Sequence, residues 1–395
     1  MVVAAATLAA PVDRLEDRLA ALHQAVPMIG ARLHDETWQP GPPPAPQIID
    51  DDPIAAPDLV ARFDLATHPP IRVIAGSGGT RLAVACHHAA FDGLSLVALL
   101  ADMIRPEDQP GDSGQSEAPR PPSTGAVDNR EHAPSPSATL PLRGPEPREP
   151  GVNRGPGSGM ADPGLRVGAS GPQGGGSKRG VPELRGLVGR LVRPADRVAP
   201  SLLHTGRETL AVAEVDLSGP NVTARLAAAA VAAAGAHNAR LGHRWRRVGL
   251  NVGLAGLTGP GPHPVGGGGE LGNFSRYRRV DLRVGEAVGT ALEAALARDR
   301  EPLDQVWSPR FGWVLEPVVG RFSDSLLVSN LGRREVPGAT RLEFFPVARG
   351  RSAVAVGAVG LAGGPVTVSV RARDLASEDA EALLADLVAR LGAGG

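Results

Sequence analysis

Cysteine is almost missing from this chain. Cys86 is the only one in 395 residues, which excludes an intrachain disulfide and a four-cysteine zinc site. Aromatic residues make up only 3%, so a core has to be built from Leu, Val and Ala. The 42% apolar share is enough to build one. No apolar run reaches about 18 residues, so no integral membrane segment is expected. Neither sign of charge is in excess. With 41 basic and 42 acidic residues, the net charge of -1 offers no electrostatic grip on nucleic acid or on an anionic membrane. The apolar opening MVVAAATLAAPVDRL has no basic residue before Arg14. A secretory leader would carry one, so the stretch is read as a first β-strand and the protein as cytoplasmic.

Glycine (51) and proline (38) are abundant, and their excess is local. Residues 105–182 contain no Phe, Trp or Tyr and repeat Gly, Pro and Ser, as in SGPQGGGSKRG. Such a stretch buries too little apolar surface to offset its ordering entropy. It is expected to be a disordered linker between an N-terminal lobe, 1–104, and a C-terminal lobe, 183–395. In the first lobe, Val12, Leu15, Leu19, Leu22 and Val26 fall on one helical face that Pro27 ends. PPIRVIAG and RLAVACHH flank the turn GSGGT as a hairpin over 71–88, and GLSLVALLADMI reads as a helix. In the second lobe, PELRGLVGRLV and NVTARLAAAAVAAAGAHNARL read as helices. ETLAVAEVDL, RRVGLNVGLAGL, a stretch around 278–283, DSLLVSNLG and GPVTVSVRA read as strands, and a glycine-rich loop spans 259–269. SEDAEALLADLVARLG reads as a closing helix with Ser377 as N-cap and Gly392 as C-cap.

The stretch AVACHHAAFDGLSLVALL holds the one adjacent histidine pair. Consecutive strand residues point to opposite faces, so His87 and His88 diverge, one into the interior and one toward a cleft. An imidazole at a strand end suits a general base, because histidine titrates near neutral pH. Asp92 opens the next helix, where capping and the dipole favour a carboxylate. Gly93 removes a side chain where something else needs the space. From spacing alone the alternatives stay open: catalysis, a buried polar pair, or a metal site. The last would have to recruit Cys86 and Asp92 at a spacing that matches no usual zinc pattern.

HHAAFDG resembles the HHxxxDG motif of the coenzyme A-dependent acyltransferase superfamily. Its members include condensation domains of peptide synthetases, polyketide-associated acyltransferases, wax-ester synthases and chloramphenicol acetyltransferase. The flanking RFDLATHPPIRVIAGSGGTRLAVACHHAAFDGLSLVALLADM is similar to that family's stretch around the motif, and ELGNF and LLVSNLG are similar to segments of its stand-alone members. The likeness covers 2–104 and about 183–392. It implies an α/β fold of two chloramphenicol acetyltransferase-like lobes, each a mixed sheet flanked by helices, with an active-site tunnel between them. It implies His88 as the base that takes the acceptor's proton, and Asp92 as a structural carboxylate. Arg72 is the expected partner of Asp92, with Arg62 as the alternative. Gly93 would keep the tunnel open, and Ser329 or Asn330 would stabilise the oxyanion unless that pair is a turn capping a strand. Gly253 stands where many relatives have an arginine.

The function so implied is a free-standing acyltransferase of natural-product or lipid assembly. It would move an acyl group from a thioester on coenzyme A or a carrier protein's phosphopantetheine to an alcohol or amine. It would be a monomer, with no tightly bound cofactor and no metal. The alternatives are a catalytically silent docking homologue, or cyclisation or hydrolysis in the same tunnel.

Overall fold

The computed structural model describes residues 1–105, 194–203, 208–254, 271–273, 275–297, 324–348 and 354–393. The expected linker from residue 106 onward, the expected helix PELRGLVGRLV and the glycine-rich loop 259–269 lie outside the described residues.

Alternation of side chains decides the first sheet. In β1 (Val2–Leu8) the even positions Val2, Ala4, Ala6 and Leu8 pack into one buried cluster, while Val3 and Ala5 pack into another on the opposite face. Short strands β2 (Arg32–His34) and β3 (Thr37–Gln39) pair with each other, and β4 (Gln47–Ile49) runs parallel to β5 (Ile71–Gly76). The expected hairpin forms from β5 and β6 (Arg81–Cys86), antiparallel with Ile71 opposite Cys86. The amphipathic reading of the first helix also holds. In α1 (Leu15–Ala25) the residues Leu15, Leu19 and Leu22 are buried, and the chain leaves it at Pro27 into a 3-10 turn. Helix α2 (Gly93–Ile104) is apolar almost all round and correspondingly buried. Both helices cover the even-numbered face of β1. The other face meets Leu59 and Phe63.

The second sheet contains β7 (Thr209–Val215), β8 (Arg247–Leu254), β9 (Arg276–Arg283), β10 (Leu326–Arg334), β12 (Val354–Leu361) and β13 (Val366–Ala372), in the order β7-β13-β12-β10-β8-β9. β10 is parallel to both of its neighbours, and the remaining pairs are antiparallel, so the sheet is mixed. Helices α3 (Val222–Arg240), α4 (Val288–Ala297) and α5 (Ser377–Ala393) pack on it through Leu226, Ala230, Leu292, Leu383 and Leu387. Gly392 lies inside α5 rather than capping it.

The remaining strand, β11 (Ala339–Phe345), crosses over. It belongs by sequence to the C-terminal half but pairs with β1, Val3 opposite Phe345, giving the first sheet the order β11-β1-β6-β5-β4. The division of the sequence at the linker is therefore not the division between the sheets. Where β11 passes β12, Gly357 permits the approach. A Cβ there would lie 2.3 Å from the Phe344 carbonyl oxygen and 2.6 Å from Ser369 Oγ. Gly357→Ala is expected to destabilise by about 1–3 kcal/mol or more, read as a lower urea midpoint, because the obstacle is backbone and cannot rotate away.

Candidate functional site

β6 ends at Cys86, and the chain turns at once. His87 N–H donates to the Pro70 carbonyl, and Ala90 and Phe91 N–H fold back on the His87 carbonyl. The two histidines do diverge, through this turn rather than through strand alternation. His87 stays half-exposed, its ring edge-on to Phe63. His88 goes inward and is 4% exposed.

The Nδ1 of His88 lies 3.3 Å from the Phe91 carbonyl oxygen. A carbonyl only accepts, so this contact calls for the hydrogen on Nδ1, and the neutral ring then has its lone pair on Nε2. That lone pair faces the hydroxyl of Tyr277 on β9 at 2.5 Å, with the two rings edge to face. The Phe91 carbonyl also receives the Cys86 thiol, at 3.7 Å. Cys86 is fully buried, which pushes its thiol pKa far up and keeps it protonated and unreactive.

Asp92 is the N-cap of α2. Its Oδ1 accepts from Ser95 N–H at 2.8 Å. The same helix start holds the second lobe. Asp92 N–H and Ser95 Oγ both donate to the Gly272 carbonyl, and Gly272 N–H donates back to Ser95 Oγ. The Leu-Gly of ELGNF is thereby latched to the turn that carries His88.

Arg72 does not take the place expected for it. It shares a face of β5 with Ile74, whereas α2 packs on the face of Ile71 and Val73. Its guanidinium donates to the carbonyls of Asp58 and Ala61 and stacks on Phe63 at 4.6 Å. Burial lowers its pKa, and Asp58 pushes the other way. The expected Arg72–Asp92 pair is replaced by this cluster, because sheet faces separate the two residues. Arg62, the alternative, is exposed.

Gly93 is also corrected. The space its missing side chain leaves is filled: a Cβ would lie 2.7 Å from the Phe344 ring and 3.3 Å from Leu331. The glycine admits β11's aromatic residue and does not hold a tunnel open. Gly93→Ala is expected to lower stability by about 1–3 kcal/mol, measured by thermal melting. It should also disturb the His88 turn, since α2 cannot shift without moving Asp92.

Ser329 and Asn330 separate by strand alternation. Ser329 lies between Gly253 and Gly357 in the sheet and faces the same small cavity as His88, Gly93, Gly253, Tyr277 and Phe344. Asn330 faces the other way. Its amide donates to Thr223 Oγ1 on α3, and its Oδ1 accepts from Gly332 N–H, a turn at an irregularity of β10. An oxyanion role for the Asn330 side chain is therefore removed, and the turn reading describes it. The cavity beside His88 measures about 20 Å³, room for a single water. Among the described residues, Tyr277 borders this cavity beside His88. Among the described residues no group of three or more His, Cys, Asp or Glu could hold a metal ion, and no helix is long and apolar enough to cross a membrane.

Tyr277 was not legible as a site residue. It is the sole tyrosine in the chain, and that rarity is the one signal that could have marked it. Its register against β8, opposite Gly253, is what turns it toward His88.

No family model matches the chain, and no curated protein matches it in sequence. Solved structures do match. The first condensation domain of the calcium-dependent antibiotic synthetase, in complex with a substrate analogue, is 14% identical, with 99% of this chain and 89% of that chain covered and a TM-score of 0.55. The condensation domain of the monacolin K polyketide synthase MokA is 12% identical over 99% of this chain and 91% of that one, TM-score 0.50. The epimerization domain from the third module of tyrocidine synthetase B is 13% identical over 99% and 90%, TM-score 0.50. The two sheet-based lobes described above are therefore the fold that condensation domains share.

Proposed function

We propose that this chain is a condensation-type acyltransferase. It moves an acyl group from a thioester, on coenzyme A or a carrier protein's phosphopantetheine, to an alcohol or amine, with His88 as general base. The observation that carries this reading is the imidazole itself. It is buried between the two lobes, its Nδ1 is oriented by the Phe91 carbonyl, and its Nε2 lone pair is turned toward a hydroxyl contributed by the other sheet. A base so oriented accepts the acceptor's proton as the acceptor attacks the thioester carbonyl carbon. It then returns the proton to the departing thiolate. Ser329, which lines the same cavity, donates to the developing oxyanion in this reading. Asp92 and Gly93 act by holding the turn and helix that present His88.

The test is thiol release with mass detection of products, across a panel of acyl-CoA and acyl-carrier thioesters with pooled alcohols and amines. A new ester or amide formed only with acceptor, and lost in His88→Ala, supports the reading. Thiol release without acceptor would make the reaction hydrolysis. The small volume beside His88 favours a second reading, a homologue that docks partners without turnover. That reading requires no thiol release from the panel and binding of a carrier protein unaffected by His88→Ala.

A further inference from the structure

We infer that Tyr277 is a second catalytic residue, a proton relay through which the acceptor's hydrogen reaches His88. The inference rests on the acyl-transfer reading above and specifies how its proton moves. Both ring nitrogens of His88 are engaged, Nδ1 by the Phe91 carbonyl and Nε2 by the Tyr277 hydroxyl. The imidazole is buried at 4% exposure, while Tyr277 is only partly buried. A single water's volume remains beside them. In this arrangement the phenol oxygen covers Nε2, so a proton bound for His88 passes through Tyr277.

The step balances. The acceptor's O–H or N–H proton passes to Tyr277 Oη while the phenol's own proton passes to His88 Nε2. The acceptor's electron pair forms the bond to the thioester carbon. When the tetrahedral intermediate collapses, the C–S bond breaks. His88 returns a proton to Tyr277, and Tyr277 passes one to the thiolate sulfur. Both side chains end as they began, and no oxidant or metal enters. Tyr277 is placed for this by its sheet. Among the described residues β9 is the edge strand, and its register sets Tyr277 opposite Gly253, both bordering the cavity that His88 and Ser329 also line.

Because the chain has one tyrosine, biosynthetic incorporation of 3-fluorotyrosine alters Tyr277 alone. Three forms are compared: wild type, the fluorotyrosine protein and Tyr277→Phe. Turnover is measured with acetyl- to octanoyl-CoA and the pooled acceptors, and melting curves verify the fold. A relay lowers kcat at least tenfold in Tyr277→Phe with KM nearly unchanged, and shifts the pH–rate profile of the fluorotyrosine protein, whose phenol is more acidic. Nitrogen-15 NMR of histidine, assigned with His88→Gln, is expected to show His88 protonated on Nδ1. Protonation on Nε2 would make Tyr277 an acceptor and overturn the relay. So would Tyr277→Phe turnover within threefold of wild type, which would leave His88 as base and the phenol as a displaceable cover. An acyl adduct on Tyr277 in the intact mass would also overturn it, in favour of a covalent route. Absence of turnover in wild type would instead sink the parent reading, and this one with it.

Discussion

If the proposed acyl transfer is right, His88→Gln is expected to lower acyl-transfer kcat/KM by about 10²–10⁴-fold while the protein keeps its melting temperature within a few degrees. The magnitude is that of a removed general base, about 2.7–5.5 kcal/mol of barrier. Glutamine is the informative replacement. Its amide can still donate to the Phe91 carbonyl and meet the Tyr277 hydroxyl, both partners of the imidazole among the described residues. It cannot hold a proton. His88→Ala removes the base as well but leaves a buried void between the lobes, so a loss of activity there mixes chemistry with packing. Thiol release in parallel with melting curves separates the two. Equal rates in wild type and His88→Gln would remove His88 from the mechanism.

Arg371→Met is expected to cost about 3–5 kcal/mol of stability, seen as a large drop in the urea midpoint. Arg371 on β13 is 2% exposed. Burial lowers its pKa, and the Glu208 carboxylate opposes that shift by stabilising the charge. Its Nε donates to Glu208 at 2.7 Å, and its Nη1 donates to the Met1 carbonyl at 2.9 Å and the Pro346 carbonyl at 3.5 Å. One guanidinium thus ties the start of β1 and the end of β11 to the second sheet. Removing it takes the donor from two carbonyls and leaves Glu208 only the more distant Arg373, at 4.0 Å. The Arg371→Met, Glu208→Gln double variant should recover part of the loss, because it also removes a carboxylate that has lost its nearest cation. A fully additive double variant would show that Glu208 is solvated well enough not to need the arginine.

What could be read from the residues follows physical signal strength. α1, α2, the β5–β6 hairpin and α5 carry clear periodicity or turn chemistry, and the structure has them. β12 was missed because VAVGAVGL is apolar on both faces and buried at every residue but the last, so it shows no alternation to read. β11 was missed because ATRLEFF carries Glu343, which looks like a surface residue. It is fully buried and held by Arg81 and Arg341, partners that only the fold supplies. His88, Asp92 and Ser329 were legible as candidates because a motif and a similar segment mark them, and the structure brings His88, Asp92 and Ser329 to the border of one cavity. Arg72 and Asn330 were misplaced for one shared reason: choosing between two faces of a strand requires knowing what packs on each. Tyr277 depends on register across a β8–β9 pairing that no local pattern encodes.

The crossing of β11 has a consequence for synthesis. β1, β6 and β5 leave the ribosome early, yet one long edge of β1 waits for Val3 to meet Phe345. At about 5–20 residues per second, tens of seconds separate the two. During that interval the nascent chain presents an unpaired apolar strand, VVAAATL, of the kind that templates pairing with other chains. Yield of native protein should therefore depend on translation speed and on chaperones that shield strand edges. An N-terminal half expressed without β11 should come out insoluble.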